Sequence, residues 1–150
     1  MAGEHLSVRV QVGWGDCDPA GIVFYPRFYA WMDLTSHVLV RALGIPREAM
    51  LAPNPQLLGF PVVGAQAEFL APARMEDQIE VRTWVSRVGR SSLSLRHEVW
   101  LLGEPERLLV RGREERVFVS IEVEGGMRSQ HFNPEMRQTL TRYTDPAAAG

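Results

Sequence analysis

The sequence predicts an α+β fold in which an antiparallel sheet of about five strands wraps around one long central helix. Three observations predict it. An N-terminal segment alternates apolar and polar residues, a single run of helical period follows, and the remainder is a succession of alternating segments separated by turn residues. At 150 residues the chain has the size of one ordinary domain, able to close a hydrophobic core without staples, so residues 1–150 are read as one unit.

Residues 6–14, LSVRVQVGW, place Leu6, Val8, Val10 and Val12 at alternate positions, the period of a half-buried strand. Asp18-Pro19 then offers an N-cap and a first helical residue, because aspartate accepts an exposed backbone N–H and proline has none to lose; Pro26 offers a second start. From Pro26 to Leu43, the residues Phe28, Trp31, Met32, Thr35, Leu39, Ala42 and Leu43 recur at spacings of three and four and form one apolar face, while Tyr29, Asp33 and His37 form a polar strip. Gly44 and Pro46 stop this helix, which at about 18 residues would be about 27 Å long and needs a sheet to lie on. Residues 46–59, with Pro46, Pro53 and Pro55, read as a connection with one helical turn near Arg47 to Leu51.

Strands follow at Val62 to Leu70, Gln78 to Val88 and Leu93 to Leu101, the last two joined as a hairpin through Val88-Gly89-Arg90-Ser91. Along Leu108 to Val123 the apolar parity changes from even (Leu108, Val110) to odd (Val117, Val119, Ile121, Val123), which predicts a bulge near Gly112. Glu124-Gly125-Gly126 turns the chain, Asn133-Pro134 starts a short helix through about Arg142, and the small residues of Pro146 to Gly150 predict a frayed, flexible tail.

Hydrophobic residues at 45% and charged residues at 23% exclude a disordered chain. A net charge of −2 gives no electrostatic signal for nucleic acid, and no apolar run approaches the roughly 18 residues that cross a bilayer, so neither is an expected partner. The single cysteine, Cys17, excludes an internal disulfide, and MAGEHLSVRV lacks the layout of a secretory signal; a cytoplasmic location is the expectation. His5, His37, His97 and His131 are scattered without zinc-ligand spacing, and Asp16 with Asp18 lacks the further ligands of a calcium loop, so no metal is expected. There is no Walker loop, dinucleotide fingerprint or G-x-S-x-G elbow, and no cofactor is expected.

The chemistry concentrates in Trp14 to Asp33, WGDCDPAGIVFYPRFYAWMD. Asp18 stands between Gly15 and Gly21, which allow a ligand to come close, and ahead of Ile22, Val23, Phe24 and Tyr25, which could exclude water. A carboxylate so placed can act as nucleophile or general base, and free N–H groups at a helix start can hold a developing oxyanion. It can also be only a helix cap, and from propensity alone the cap is the commoner role. Cys17 has no histidine close in sequence to activate it, and His97, alternating with core residues, reads as a satisfied buried histidine.

The run GDCDPAGIVFYPRFYAWMD resembles the signature of the 4-hydroxybenzoyl-CoA thioesterase family, a G-D-C-D-P-A-G-I-V-x-Y-P core followed by an aromatic helix. The likeness extends to F-P-V-V from Phe60 and, more loosely, to GRSSLSLRHEV and RVFV. It implies the hotdog fold, assembly as a dimer or a dimer of dimers with active sites at the dimer interface, and hydrolysis of an acyl-CoA thioester. It further implies Asp18 as the catalytic carboxylate, attacking the thioester carbonyl or activating water, and the backbone N–H of Tyr25 as the group polarising that carbonyl.

Asp33 matches the helix aspartate that can receive a ring hydroxyl, which makes 4-hydroxybenzoyl-CoA or a close relative the first-choice substrate; a solvated helix position is the competing reading. Val88 stands where the best-known enzyme has a tryptophan lining the acyl pocket. Arg90 and Ser91, with Arg87, Ser92 and Arg128, are candidates for the coenzyme's phosphates because guanidinium geometry suits them, against a role as ordinary surface residues. Two alternatives stand beside this reading: a short- or medium-chain aliphatic acyl-CoA or acyl-carrier-protein thioesterase of the Tol–Pal-associated kind, and a non-catalytic acyl-CoA-binding module.

Overall fold

Pro26, with no N–H to lose and φ already helical, opens the central helix α1 (Pro26–Ala42), and Gly44, at φ +81°, takes the chain out of it. Its buried face is Phe28, Trp31, Met32, Thr35, Ser36, Leu39 and Val40. Ala42, expected on that face, is exposed, because the chain turns there and sends Leu43 and Ile45 into the core instead. The computed structural model describes residues 3–149 apart from 53, 55 and 123; Pro53 and Pro55 of the expected connection and Val123 of the expected last strand lie outside the described residues. No helix among the described residues is long and apolar enough to cross a membrane.

The strands are β1 (Leu6–Gln11), β2 (Leu57–Gly59), β3 (Val62–Phe69), β4 (Gln78–Val88), β5 (Ser92–Leu101), β6 (Arg107–Val117), β7 (Val119–Glu122) and β8 (Gly126–Ser129). Five form one antiparallel sheet in the order β1-β4-β5-β6-β3, with α1 packed chiefly on β1 and β4. The expected hairpin joins β4 to β5, Gly89 N–H donating to Ser92 O at 2.8 Å. Helix α2 (Pro134–Arg142) starts as expected, its cap Asn133 accepting from Met136 N–H at 2.8 Å. Beyond α2 the chain completes the edge of β4, where Val85 N–H donates to Tyr143 O and Asp145 N–H to Val85 O, both at 2.8 Å. The tail expected to fray forms a short 3-10 turn, Pro146–Ala149, started by Asp145 Oδ1 accepting from Ala147 N–H at 2.9 Å.

The strand expected over Leu108 to Val123 is two strands in two sheets. It breaks at Phe118, whose ring stacks with Phe60 and Phe132, and β7 joins β2 and β8 in a separate three-stranded sheet that the sequence reading missed. The bulge falls at Leu109, between the pairs Trp100↔Leu108 and Val99↔Val110, and not near Gly112. The inward-facing residues of β6 are therefore Val110, Gly112, Glu114 and Arg116. Gly112 serves close packing: a Cβ there would stand 2.3 Å from Met32 Sδ, so the Met32 side chain occupies the space that a side chain at 112 would need. The core falls into two clusters, one around Phe28, Met32, Val81 and Val99, the other around Leu39, Val40, Leu95 and Phe118.

Candidate active site

Asp18 does not start a helix. Its Oδ1 accepts from Ala20 N–H (2.8 Å), its carbonyl accepts from Gly21 N–H (2.9 Å), and its own N–H donates to Ile22 O (2.9 Å). Gly21 adopts φ +81°, a conformation costly for any residue with a Cβ, and so reverses the chain. The result is a tight hairpin in which Cys17 bridges Val23 and Phe24 N–H donates to Asp16 O at 2.8 Å. The first proline thus sits in a turn and the second opens the helix, which moves the free N–H groups of the helix start from Pro19 to Tyr25.

Asp16 is structural: it accepts from Gly13 N–H at 2.8 Å and lies 3.5 Å from Arg27, tying β1's exit to the start of α1. Asp18 is half-buried, and among the described residues its Oδ2 has no protein partner. It lines an open cavity of about 320 Å³ with Trp14, Cys17, Pro19, Gly21 and Met75. Trp14 is 83% exposed there, an aromatic wall that the sequence reading did not single out. Of the apolar residues expected to exclude water, Val23 is buried, but Phe24 and Tyr25 are exposed.

Tyr25 is the N-cap of α1, and its backbone N–H has no acceptor among the described residues. It stands at the positive end of the α1 dipole. Its ring meets Phe69, at the end of β3, edge-on at 5.8 Å.

Asp33 is partly exposed and anchored on one oxygen. Its Oδ1 accepts from Arg116 Nη2 at 2.6 Å, and its Oδ2 lies 3.6 Å from His37 Nε2. Arg116 is buried and satisfied on every nitrogen, with Nε donating to Glu114 Oε2 (2.8 Å) and Nη1 to Phe60 O (2.8 Å). Glu114 Oε2 also accepts from Ser36 Oγ at 2.9 Å and lies 3.4 Å from His97 Nε2. His97 Nδ1 completes the chain to Thr83 Oγ1 at 2.7 Å.

Burial acts to raise the Glu114 carboxyl, but the opposing contacts of His97 and Arg116 outweigh it and lower it to about 2. At 2.8 Å Arg116 is the stronger of the two partners, since 3.4 Å exceeds a well-formed N–H···O bond. Burial likewise opposes the charge on Arg116, and Glu114 and Asp33 override it, so that its pKa is raised. None of Glu114, Arg116 or Thr83 was singled out from the sequence, and His97, expected to be a satisfied core residue, has only the 3.4 Å contact on Nε2.

Val88, Arg90 and Ser91 lie far from Asp18 in the same chain. Residues 73–77 border the Asp18 loop, through Val23 N–H to Ala73 O (2.9 Å) and Glu76 N–H to Val12 O (2.8 Å), and β4 then runs its full length before reaching Val88, about 33 Å at about 3.3 Å per residue. Val88 is half-buried against the core, Ser91 O accepts from Phe118 N–H (2.7 Å), and the side chain of Arg90 is exposed and unpaired among the described residues. Arg87 reaches Ser94 at 3.4 Å, and Arg128 lies 3.5 Å from Glu122.

Comparison with known proteins gives a consistent result. Residues 20–108 match the family described as the thioesterase superfamily. The chain is 30% identical over 115 residues to the 4-hydroxybenzoyl-CoA thioesterase of Pseudomonas sp. (strain CBS-3), covering 75% of this chain and 82% of that protein. It is 26% identical over 106 residues to the acyl-CoA thioester hydrolase YbgC of Escherichia coli O157:H7, covering 67% and 77%. The solved structure of the Pseudomonas enzyme aligns over 91% of this chain and 99% of its own with a TM-score of 0.78 at 26% identity. A gentisyl-coenzyme A thioesterase aligns over 89% and 98% with a TM-score of 0.73 at 30% identity.

Proposed function

The chain belongs to the thioesterase superfamily and is an acyl-CoA thioesterase of the hotdog fold, and we propose that its substrate is an aromatic acyl-CoA, 4-hydroxybenzoyl-CoA or a close relative, with Asp18 as the catalytic carboxylate. The observation that carries the reading is the uncommitted Oδ2 of Asp18, held over an open cavity by a hairpin whose other strand leads into the free N–H of Tyr25. The carboxylate either attacks the thioester carbon, expelling the coenzyme thiolate and leaving an anhydride for water to cleave, or takes a proton from water that attacks the same carbon. In both routes the carbonyl oxygen gains charge, and the Tyr25 N–H at the positive end of α1 stabilises it.

The site is built from two copies of the chain. β3 is an edge strand with Val62, Val63 and Phe69 exposed, a pairing surface that a stable protein covers. Antiparallel pairing of two β3 edges about a two-fold axis would set the Phe69 end of one copy, beside Tyr25, against the Val62 end of the other, next to Arg116 and the β4–β5 hairpin. That supports a role for Val88, Arg90 and Ser91 in acyl and coenzyme binding despite their distance from Asp18 along one chain.

Thiol release from 4-hydroxybenzoyl-CoA, benzoyl-CoA, phenylacetyl-CoA and hexanoyl-CoA tests the proposal with wild type and Asp18→Asn. An aromatic preference and a loss of at least about a hundredfold in the variant are expected. Full activity of Asp18→Asn would reduce Asp18 to a turn cap. A preference for hexanoyl-CoA would instead assign the chain an aliphatic substrate.

A further inference from the structure

We propose that Arg116 is the positioning residue that makes Asp33 a fixed acceptor for a ring hydroxyl, so that discrimination between hydroxylated and plain aromatic acyl groups depends on a buried arginine that does not itself touch the substrate. The inference rests on the reading of Asp33 as the hydroxyl acceptor.

Arg116 is 5% exposed, and its planar guanidinium is held at three separate nitrogens by Glu114, Phe60 O and Asp33. Two of these partners belong to the sheet side, so the third N–H has a fixed direction, and it meets Asp33 Oδ1 at 2.6 Å. Oδ2 is then the oxygen left open: the side chain is 44% exposed, and His37 at 3.6 Å is too far for a hydrogen bond. Ser36, one turn along α1 from Asp33, is tied to the same Glu114, so rotation of the helix about its axis is opposed at two points. A single point charge in place of the guanidinium could not keep all three directions.

The measurement is the ratio of kcat/KM for 4-hydroxybenzoyl-CoA to that for benzoyl-CoA, in wild type, Asp33→Asn and Arg116→Lys. Asp33→Asn should lower the ratio by at least about tenfold, the scale of one hydrogen bond to a charged group. Arg116→Lys should lower it by a similar factor, the loss falling on KM for the hydroxylated thioester. If Arg116→Lys does not fold, the doubly neutral Glu114→Gln/Arg116→Gln chain gives the same readout without an unpaired buried charge.

A ratio that collapses in Asp33→Asn but not in the Arg116 variants overturns the positioning role and leaves the Asp33 reading standing. Equal losses on both thioesters in the Arg116 variants also overturn it, marking Arg116 as structural only. A ratio unmoved by Asp33→Asn removes the hydroxyl acceptor itself, and the inference with it.

Discussion

Gly112→Ala is the substitution whose cost follows most directly from the packing of α1 on the sheet. The added Cβ would lie 2.3 Å from Met32 Sδ, 3.1 Å from its Cε and 3.5 Å from His97 Cβ. Met32 is completely buried, so its side chain cannot swing into solvent; it must leave its rotamer or α1 must rise by an ångström or so. Overpacking of this kind costs about 1–3 kcal/mol, and replacing glycine by alanine returns about 0.4–1 kcal/mol by restricting the unfolded chain. The expected net loss is about 1–2 kcal/mol, seen as a lower urea midpoint at unchanged m-value. Met32→Ala leaves a cavity and costs about 2–5 kcal/mol alone, but in that background Gly112→Ala should cost nothing or stabilise. The cycle then shows a coupling within about 0.5–3 kcal/mol. Equal costs in the two backgrounds, or no cost in wild type, would refute the claim that Met32 dictates the glycine.

Stability should fall in acid more steeply than surface carboxylates require. The folded Glu114 carboxyl sits at about 2 against its usual 4.5, so its contribution is complete above about pH 5 and is lost as pH falls from there toward 2. At about 1.4 kcal/mol per unit this is roughly 3 kcal/mol in full, of which about 2 kcal/mol is lost between pH 7 and 3 as read from urea midpoints, and Glu114→Gln should flatten the profile; an unchanged slope would detach Glu114 from it. Trp14→Ala should shift stability by no more than about 0.5 kcal/mol, since the ring is 83% exposed, yet raise KM for aromatic thioesters several-fold, and an unaltered KM would place Trp14 outside the site. Val63→Asp, on the exposed β3 edge, should yield monomers in sedimentation velocity with little hydrolysis; an active monomer would contradict a site shared between copies.

The sequence made the main elements legible because each has a strong local signature: alternation in β1, β4 and β5, the period of α1, the cap at Asn133. Asp18 was legible as a candidate carboxylate, but its setting was not. A proline after aspartate fits a turn as well as a helix start, and the choice was made by Gly21, whose positive φ closes a hairpin with Val23 and Phe24. The buried network was missed for one reason. A bulge placed at Gly112 turns Arg113 and Glu115 inward, whereas the actual bulge at Leu109 turns Glu114 and Arg116 inward, and a one-residue change of register exchanges the two faces of a strand. The run RGREER contains no apolar side chain that would have fixed the phase. The second sheet escaped because β2 and β8 are three and four residues long, too short for alternation to register.

The polar band also determines where α1 can stop along its own axis. Thr35 and Ser36 lie between Met32 on one side and Leu39 and Val40 on the other, and Ser36 donates to Glu114 while the flanking residues pack into the two apolar clusters. An apolar stripe alone would let a helix slide by one turn, about 5.4 Å, and find nearly equivalent packing. Here such a slide would strand Ser36 among aliphatic side chains and press Met32 or Leu39 onto an ionised carboxylate, and separating a buried charge from its partners costs about 3–5 kcal/mol. Glu114 and Arg116 thus act as a detent, and the distance between the Asp18 loop and the carboxylate of Asp33 is set by that catch.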